Sequence, residues 1–259
     1  MALTFYKYHG TGNDFIMIDN RQNQFPKDNT EQVAQLCDRR FGIGADGLIL
    51  LEDDEDVDFT MVYYNSDGNQ SSMCGNGGRC IVAFAQFLGI ITAIVTFRAV
   101  DGIHYASIEG EIVSLQMKDV DGIRKKEHYS FLDTGSPHHV QLVSDLNKFN
   151  VVKEGAKLRY GMYGEKGSNI NFVEANGRGF AVRTYERGVE NETLSCGTGV
   201  TAVALAMHYD GKATAENIKI KTPGGNLEVT FEKKDEGYGN IRLIGPTKKV
   251  FKGEIHVTS

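Results

Sequence analysis

The sequence predicts an α+β protein of two pseudo-symmetric domains, each a curved, mostly antiparallel sheet wrapped around a central apolar helix. Three observations predict it. Short strand patterns punctuated by glycine turns run through all 259 residues. Two helical stretches are apolar on every side: eight of the nine residues from Cys80 to Leu88, and seven of the eight from Val200 to Met207. A helix apolar all round must be enclosed by other elements. Finally, each stretch follows the same signature, x-Cys-Gly-polar-Gly, seen as Met73-Cys74-Gly75-Asn76-Gly77 and as Ser195-Cys196-Gly197-Thr198-Gly199. The two cysteines stand about half a chain apart, as an internal duplication requires.

The elements follow in order. Strands are expected at Leu3–His9, Asp14–Asp19, Gly47–Leu51 and Phe59–Asn65, with a helix over Asn29–Arg39. After the first apolar helix come Ile94–Ala99, His104–Ile108 and Ile112–Met117, joined by the turns Asp101-Gly102 and Glu109-Gly110. A second series includes His139–Val143, a helix at Val152–Arg159, then Asn169–Ala175 and Phe180–Glu186. The last two are joined by Asn176-Gly177, a strong hairpin signal. Ile218–Thr222, Leu227–Phe231, Ile241–Ile244 and Gly253–Val257 close the chain. The domains are placed at 1–118 and 119–246, with a tail at 247–259.

Composition removes several classes. Plentiful hydrophobic residues (41%) exclude disorder, and no apolar run approaches the roughly 20 residues of a membrane span. A net charge of −6 argues against a nucleic-acid partner. No basic stretch followed by a long apolar segment opens the chain, so no signal peptide is expected and the protein is placed in the cytoplasm. The cysteines are Cys37, Cys74, Cys80 and Cys196; they form no CxxC pair and no zinc-type cluster, so no metal is expected. Cys37 and Cys80 lie on apolar helical stretches and read as core. Gly42-Ile43-Gly44-Ala45-Asp46-Gly47 matches a dinucleotide fingerprint, but a charged helix precedes it and a strand follows, the wrong order for such a site. The acidic run Glu52–Asp58 lacks calcium-loop spacing and reads as a solvated connection.

Cys74 and Cys196 are different. A cysteine just before a helix sits where unpaired amides and the helix dipole favour negative charge, which lowers a thiol pKa. The glycines that follow let an anion such as a carboxylate approach the backbone. Two such loops offer two thiols and two carboxylate cradles. Inverting an α-carbon needs a base on one face and an acid on the other, and a thiol/thiolate pair fills both roles.

At these residues the chain resembles the diaminopimelate epimerases. The resemblance rests on His9-Gly10-Thr11-Gly12-Asn13-Asp14-Phe15, Asn65-Ser66-Asp67-Gly68, Met73-Cys74-Gly75-Asn76-Gly77-Gly78-Arg79, and Glu186-Arg187-Gly188 leading to Leu194-Ser195-Cys196-Gly197-Thr198-Gly199. It implies two α+β domains with the active site in the cleft between them, and interconversion of LL- and meso-diaminopimelate on the route to lysine and peptidoglycan. It also implies a homodimer and neither metal nor organic cofactor. Carried over by motif, Cys74 and Cys196 are the acid/base pair, while Gly75, Asn76, Gly197 and Thr198 bind the α-carboxylate. Asn13, Asn65, Asn169, Glu186 and Arg187 hold the rest of the substrate, and His138 and Glu186 are candidates for tuning a thiol.

Two departures stand out. The family often has Asn-Pro-His where this chain reads Ser136-Pro137-His138, and Gly47 stands where the family has Gln. Three rival readings differ in what they require. A proline racemase or hydroxyproline epimerase typically shows His after Met-Cys-Gly, where this chain has Asn76. A Cys–His hydrolase using His138 leaves the second matched cysteine without a role. A redox sensor would join the two thiols reversibly without catalysis.

Overall fold

The runs Phe15–Ile18 and Leu48–Leu51 are too uniformly apolar for a sheet with one wet face. The structure, a computed structural model describing residues 2–256, buries both runs completely. Met1 and residues 257–259, including the end of the strand expected at Gly253–Val257, lie outside the described residues. The chain divides into two compact units: residues up to Leu115 together with those from Pro246 onward, and Gln116–Gly245.

In the first unit β1 (Ala2–Gly10) and β2 (Asn13–Asp19) form a hairpin closed by Thr11 and Gly12. Both turn residues have positive φ, 51° and 89°, the combination whose twist suits a two-residue hairpin. Helix α1 (Thr30–Cys37), capped by Asn29 Oδ1 on the amide of Gln32, crosses to β3 (Gly47–Glu52), which runs parallel to β2. β4 (Phe59–Asn65) is antiparallel to β3 and carries the short β5 (Gln70–Ser71). Helix α2 (Gly75–Phe87) leads to β6 (Ile94–Ala99), parallel to β4, and then to the antiparallel β7 (Gly102–Glu109) and β8 (Ile112–Gln116).

The second unit repeats this pairing strand for strand. β9 (Arg124–Lys125) precedes β10 (Ser130–Asp133) and β11 (Pro137–Leu142), which pair as β1 and β2 do. Helix α3 (Val151–Gly161) crosses to β12 (Asn169–Asn176), parallel to β11; β13 (Gly179–Glu186) and β14 (Asn191–Thr193) follow antiparallel. After α4 (Gly197–Tyr209), β15 (Asn217–Thr222) lies parallel to β13 and continues antiparallel into β16 (Gly225–Lys233) and β17 (Tyr238–Pro246). The outermost pairing also repeats: β9 adds to β10, and β18 (Lys248–His256) adds to β1 along almost its whole length. The sheets are therefore mixed rather than simply antiparallel, each unit holding two parallel pairs.

Each unit has two apolar layers. In the first, Ile16, Ile18, Leu48 and Leu50 face Val33 and Cys37 of α1. The alternate residues of the same strands face the other way, where α2 packs on β1, β2, β3 and β7. In the second, Ile170, Phe172 and Tyr185 pack with Val151 of α3, and α4 lies against β10 to β13, β15 and β16. Every residue from Gly199 to Met207 is buried, so α4 is enclosed as the sequence requires. α2 is enclosed for most of its length, but its last turn emerges: Phe87 is 47% exposed, with Lys249 Nζ over its ring at 3.8 Å.

Several details differ from the sequence reading. Both central helices begin five residues ahead of the apolar stretch or three residues ahead of it, at Gly75 and Gly197, so the glycines are helical and the cysteines are the N-caps. β5, β9, β10 and β14 escape notice because two to four residues carry no alternation. β11 starts at Pro137, where a strand tolerates proline, and so takes in His138. The acidic run is not wholly solvated: Asp54 turns inward to Arg98 Nε at 2.8 Å and the Thr60 hydroxyl at 2.6 Å.

Phe84 of α2 is fully buried, with the rings of Tyr6 and Tyr8 at 5.2 Å and 5.8 Å. Phe84→Ala is expected to destabilise the protein by about 3–5 kcal/mol, the cost of a large core cavity, read as a lower urea midpoint at unchanged slope.

Candidate active site

The start of an enclosed helix leaves amides that no water reaches, and the sequence must supply something to meet them. In the first unit Cys74, in extended conformation, caps α2 and its Sγ accepts from the amide of Gly77 at 3.2 Å. The β1–β2 turn is tied to this helix start. Asn76 Nδ2 donates to Asn13 Oδ1 at 3.2 Å, and Asn13 Nδ2 donates to Asp46 Oδ2 at 2.6 Å. Arg39 grips both Asp14 and Asp46, and Lys7 completes the ion cluster on Asp14, whose carboxyl these cations hold well below its usual range despite burial. Asn65 ends β4, its carbonyl accepting from Gly68 and its amide donating to Asn69 in the turn that follows.

In the second unit Cys196 occupies the N-cap position of α4 without a side-chain bond to the helix amides, and its Sγ lies 3.5 Å from Thr198 Oγ1. That hydroxyl is 3.0 Å from His138 Nε2, and His138 Nδ1 is 3.2 Å from Asn171 Nδ2. Asn171 is oriented by its other bonds: its Oδ1 accepts from the Thr184 hydroxyl at 3.0 Å and its Nδ2 also donates to the carbonyl of His139 at 2.9 Å. The amide therefore donates to Nδ1, which leaves the proton on Nε2 to donate to Thr198, and between that hydroxyl and the thiol either group can be the donor. His138 is fully buried, and burial, with Arg187 adding repulsion, lowers its pKa to about 3. It is a neutral hydrogen-bonding link near pH 7 and a weak base. Gly199 gives this chain room, since a Cβ there would sit 2.6 Å from Asn171 Oδ1.

Around the end of β13 the remaining candidates meet. Asn169 Nδ2 donates to Ser136 Oγ at 2.9 Å, its Oδ1 accepts from the backbone amide of Arg187 at 2.9 Å, and Glu186 accepts from the Thr193 hydroxyl at 2.7 Å. The Arg187 guanidinium donates to the carbonyl of Lys166 at 3.0 Å.

Register relates these residues to one another across the duplication. Phe15 pairs with Gly47 in the first unit as His138 pairs with Asn169 in the second, and Gly47 pairs with Asn65 in the step that sets Asn169 beside Glu186. The candidates thus form equivalent pairs: Asn13 with Ser136, Gly47 with Asn169, Asn65 with Glu186, Asn76 with Thr198. Gly47 has no side chain because a Cβ would lie 2.5 Å from the carbonyl of Tyr64 and 2.6 Å from the Tyr63 ring. Three residues of this neighbourhood were not assigned roles from sequence: Asn171, Asp46 and Arg79. A signal existed for two of them, a lone amide inside the buried strand Ile170–Val173 and a lone charge at the start of an apolar helix. Cys37 and Cys80 are buried, and burial pushes the Cys37 thiol up to about 12 and that of Cys80 higher still. Among the described residues no group of three or more His, Cys, Asp or Glu is arranged to hold a metal, and no helix is long and apolar enough to cross a membrane.

Comparison with known proteins agrees with the duplicated architecture. The family described as diaminopimelate epimerase matches residues 5–119 and 130–250. A diaminopimelate epimerase of Flavobacterium psychrophilum is 59% identical over 256 residues, covering 98% of this chain and 100% of that protein. One from Chlorobaculum tepidum is 44% identical, covering 95% and 98%. Among solved structures, a Bacillus anthracis phenazine biosynthesis protein of the PhzF family aligns with a TM-score of 0.81 at 13% identity, over 99% of this chain and 100% of that one. A hydroxyproline epimerase of Agrobacterium vitis gives 0.70 at 14%, over 98% and 92%. At such identities these last two show a shared fold.

The buried histidines make a pH prediction. His138 titrates near 6.5 when unfolded and about 3 when folded, and His139 is shifted the same way. Between these values the unfolded chain binds more protons, so their contribution to stability is complete above about pH 6.5 and is lost as pH falls toward 3. His138→Gln is expected to flatten the decline between pH 6 and pH 4 by about 1 kcal/mol per pH unit in urea unfolding.

Proposed function

The chain belongs to the diaminopimelate epimerase family, and we propose that Cys74 and Cys196 carry its reaction as a two-base pair acting on one α-carbon of 2,6-diaminopimelate. It is an isomerase converting the LL isomer to the meso isomer in lysine biosynthesis. The observation that carries the assignment is the recurrence of one arrangement: a cysteine at the N-cap position of an enclosed helix, once in each repeat.

The thiolate on one face removes the α-proton, and the thiol on the other delivers its proton to the opposite face. The roles exchange when the reaction reverses. Backbone amides at Gly75 and Asn76 and at Gly197 and Thr198 hold the α-carboxylate, where its charge meets both helix dipoles. Part of the carbanion's charge passes to that carboxylate, so the amides that bind it stabilise the transition state more than the ground state. The distal amino-acid group takes Glu186 for its ammonium and the Arg187 fork for its carboxylate, with Asn13, Asn65 and Asn169 supplying neutral bonds. His138 acts on Cys196 through Thr198, and Glu186 is the second residue assigned to thiol tuning.

In this reading the two repeats are domains at 1–118 and 119–246, with the tail at 247–259 serving the first, and they close on the substrate to exclude water. Neither metal nor organic cofactor takes part. We further assign the protein to the cytoplasm, as a homodimer that also supplies peptidoglycan precursors; light scattering at the mass of a single chain would overturn the dimer.

Proton NMR of reduced protein with LL-diaminopimelate in D₂O tests the central assignment. The expected result is exchange of one α-proton with growth of the meso isomer and none in a parallel sample of L-proline. Cys74→Ala and Cys196→Ala are each expected to slow epimerisation at least about a thousandfold, since general acid–base terms are typically ~10²–10⁴. A loss under about tenfold in either variant removes that cysteine from the pair.

A further inference from the structure

The two thiol sites share a backbone plan but not a charge. Five residues after Cys74 stands Arg79; five after Cys196 stands Thr201. Both side chains reach back to the same place. Arg79 Nη1 donates to the carbonyl of Gly75 at 3.0 Å, and Thr201 Oγ1 donates to that of Gly197 at 3.0 Å. Each bond braces the residue next to the capping cysteine. Only one brings a cation.

Arg79 is buried to 0% exposure, the bulkiest side chain so enclosed. Its other oxygen partners are neutral: Asn76 Oδ1 at 3.0 Å and Thr11 Oγ1 at 3.4 Å. Its Nε has no hydrogen-bond partner among the described residues, and no carboxylate pairs with it there. A buried guanidinium without an anion is costly to desolvate. The groups that act on it electrostatically are two thiols, Cys80 and Cys74. Cys80 stays protonated because burial opposes its ionisation. Ionisable side chains on the strands packed against α2 are otherwise engaged. Lys7 and Asp14 pair on β1 and β2, Asp19 pairs with Arg21, Glu52 of β3 with Lys27, and His104 of β7 with Asp101. On β1, His9 Nδ1 accepts from the amide of Gly12, Tyr6 packs on Phe84 and Phe87, and burial keeps the Tyr8 phenol protonated. Glu109, at the far end of β7, is exposed. Cys74 is left as the group able to supply the missing negative charge, from a position where the helix amides already favour it.

The second site is organised differently. Its thiol faces a hydroxyl held by a neutral histidine, and its register equivalent of Asn65 is the acid Glu186. We propose that Arg79 is a positioning residue whose buried charge holds Cys74 as the thiolate in the resting, reduced enzyme and leaves the exchangeable proton on Cys196. The proposal rests on the two-thiol reading and adds a direction to it: the free enzyme is poised to deprotonate the isomer whose α-hydrogen faces Cys74.

The test follows alkylation of fully reduced protein by iodoacetamide from pH 5 to pH 10, with each cysteine-containing peptide quantified by mass spectrometry. The midpoint pH of each thiol is read, not its rate, so differing access does not enter. In the unaltered enzyme Cys74 is expected to titrate at least about one unit below Cys196, a tenfold difference in ionisation. Arg79→Met, similar in length and apolar, is expected to raise the Cys74 midpoint by about one unit or more. The same change leaves the Cys196 midpoint in place and moves the acid limb of kcat/KM upward. Arg79→Lys, which keeps the charge, is expected to restore most of the shift. Cys196 titrating at or below Cys74 in the unaltered enzyme overturns the proposal, and this measurement needs no variant to fold. A folded Arg79→Met with an unmoved Cys74 midpoint does the same. In either case full loss of exchange in Cys74→Ala would leave the two-thiol mechanism standing.

Discussion

An enclosed helix must have its first amides satisfied without water, and most of this molecule follows from that requirement. A surface helix solves it with a serine or asparagine cap and solvent, as Asn29 and Asn150 do for α1 and α3. The two central helices start inside the protein with cysteine at the cap and glycine around it. Small residues there leave few side-chain atoms over the backbone amides, and the apolar faces beyond pack the helices against the strands. The two cysteines are thereby placed at the starts of rigid elements, held by the packing of buried residues such as Phe84 and Val203.

Duplication explains why the same helix start occurs twice, and the register shows what changed since. Equivalent positions in the two units still carry polar residues: Asn13 and Ser136, Asn65 and Glu186, and, at the helix starts, Asn76 and Thr198. Yet Phe15 became, or began as, the counterpart of His138, and Ile49 that of Asn171. One unit keeps aromatic and aliphatic packing behind its helix start where the other threads a polar chain from Thr184 through Asn171 and His138 to Thr198. A duplicated scaffold needs such differences, because only one of diaminopimelate's two like ends reacts at a time and the other must be held as the distal end.

Much of this was legible in the residues. The two all-apolar stretches and their matched cysteine signatures gave the architecture, because a helix with no polar face has only one place to be. Strands with clean alternation or continuous apolar runs, such as Phe59–Asn65 and Ile94–Ala99, appeared with their expected ends. What stayed hidden was of two kinds. Strands as short as Arg124–Lys125 exist only because a neighbour pairs with them, so no local pattern records them. Polar residues that work from inside the core, Asn171 above all, are masked by the apolar run around them. Their partners lie tens of residues away, and only the fold discloses the connection. Gly47 illustrates the reverse case: where the family has a Gln side chain, this chain leaves a place already filled by Tyr63.

The closing strand has a consequence for how the protein is made. β9 lies next to β10 in the chain, so the second unit has its outermost strand to hand as soon as it leaves the ribosome. β1 waits for β18, which is translated last. At ordinary elongation rates of roughly 5–20 residues per second, the first unit spends on the order of ten seconds with its first strand exposed along one edge. The N-terminal half of this chain is therefore the later of the two to be completed, and in that interval its open β1 edge is the surface that a nascent-chain chaperone would have to shield.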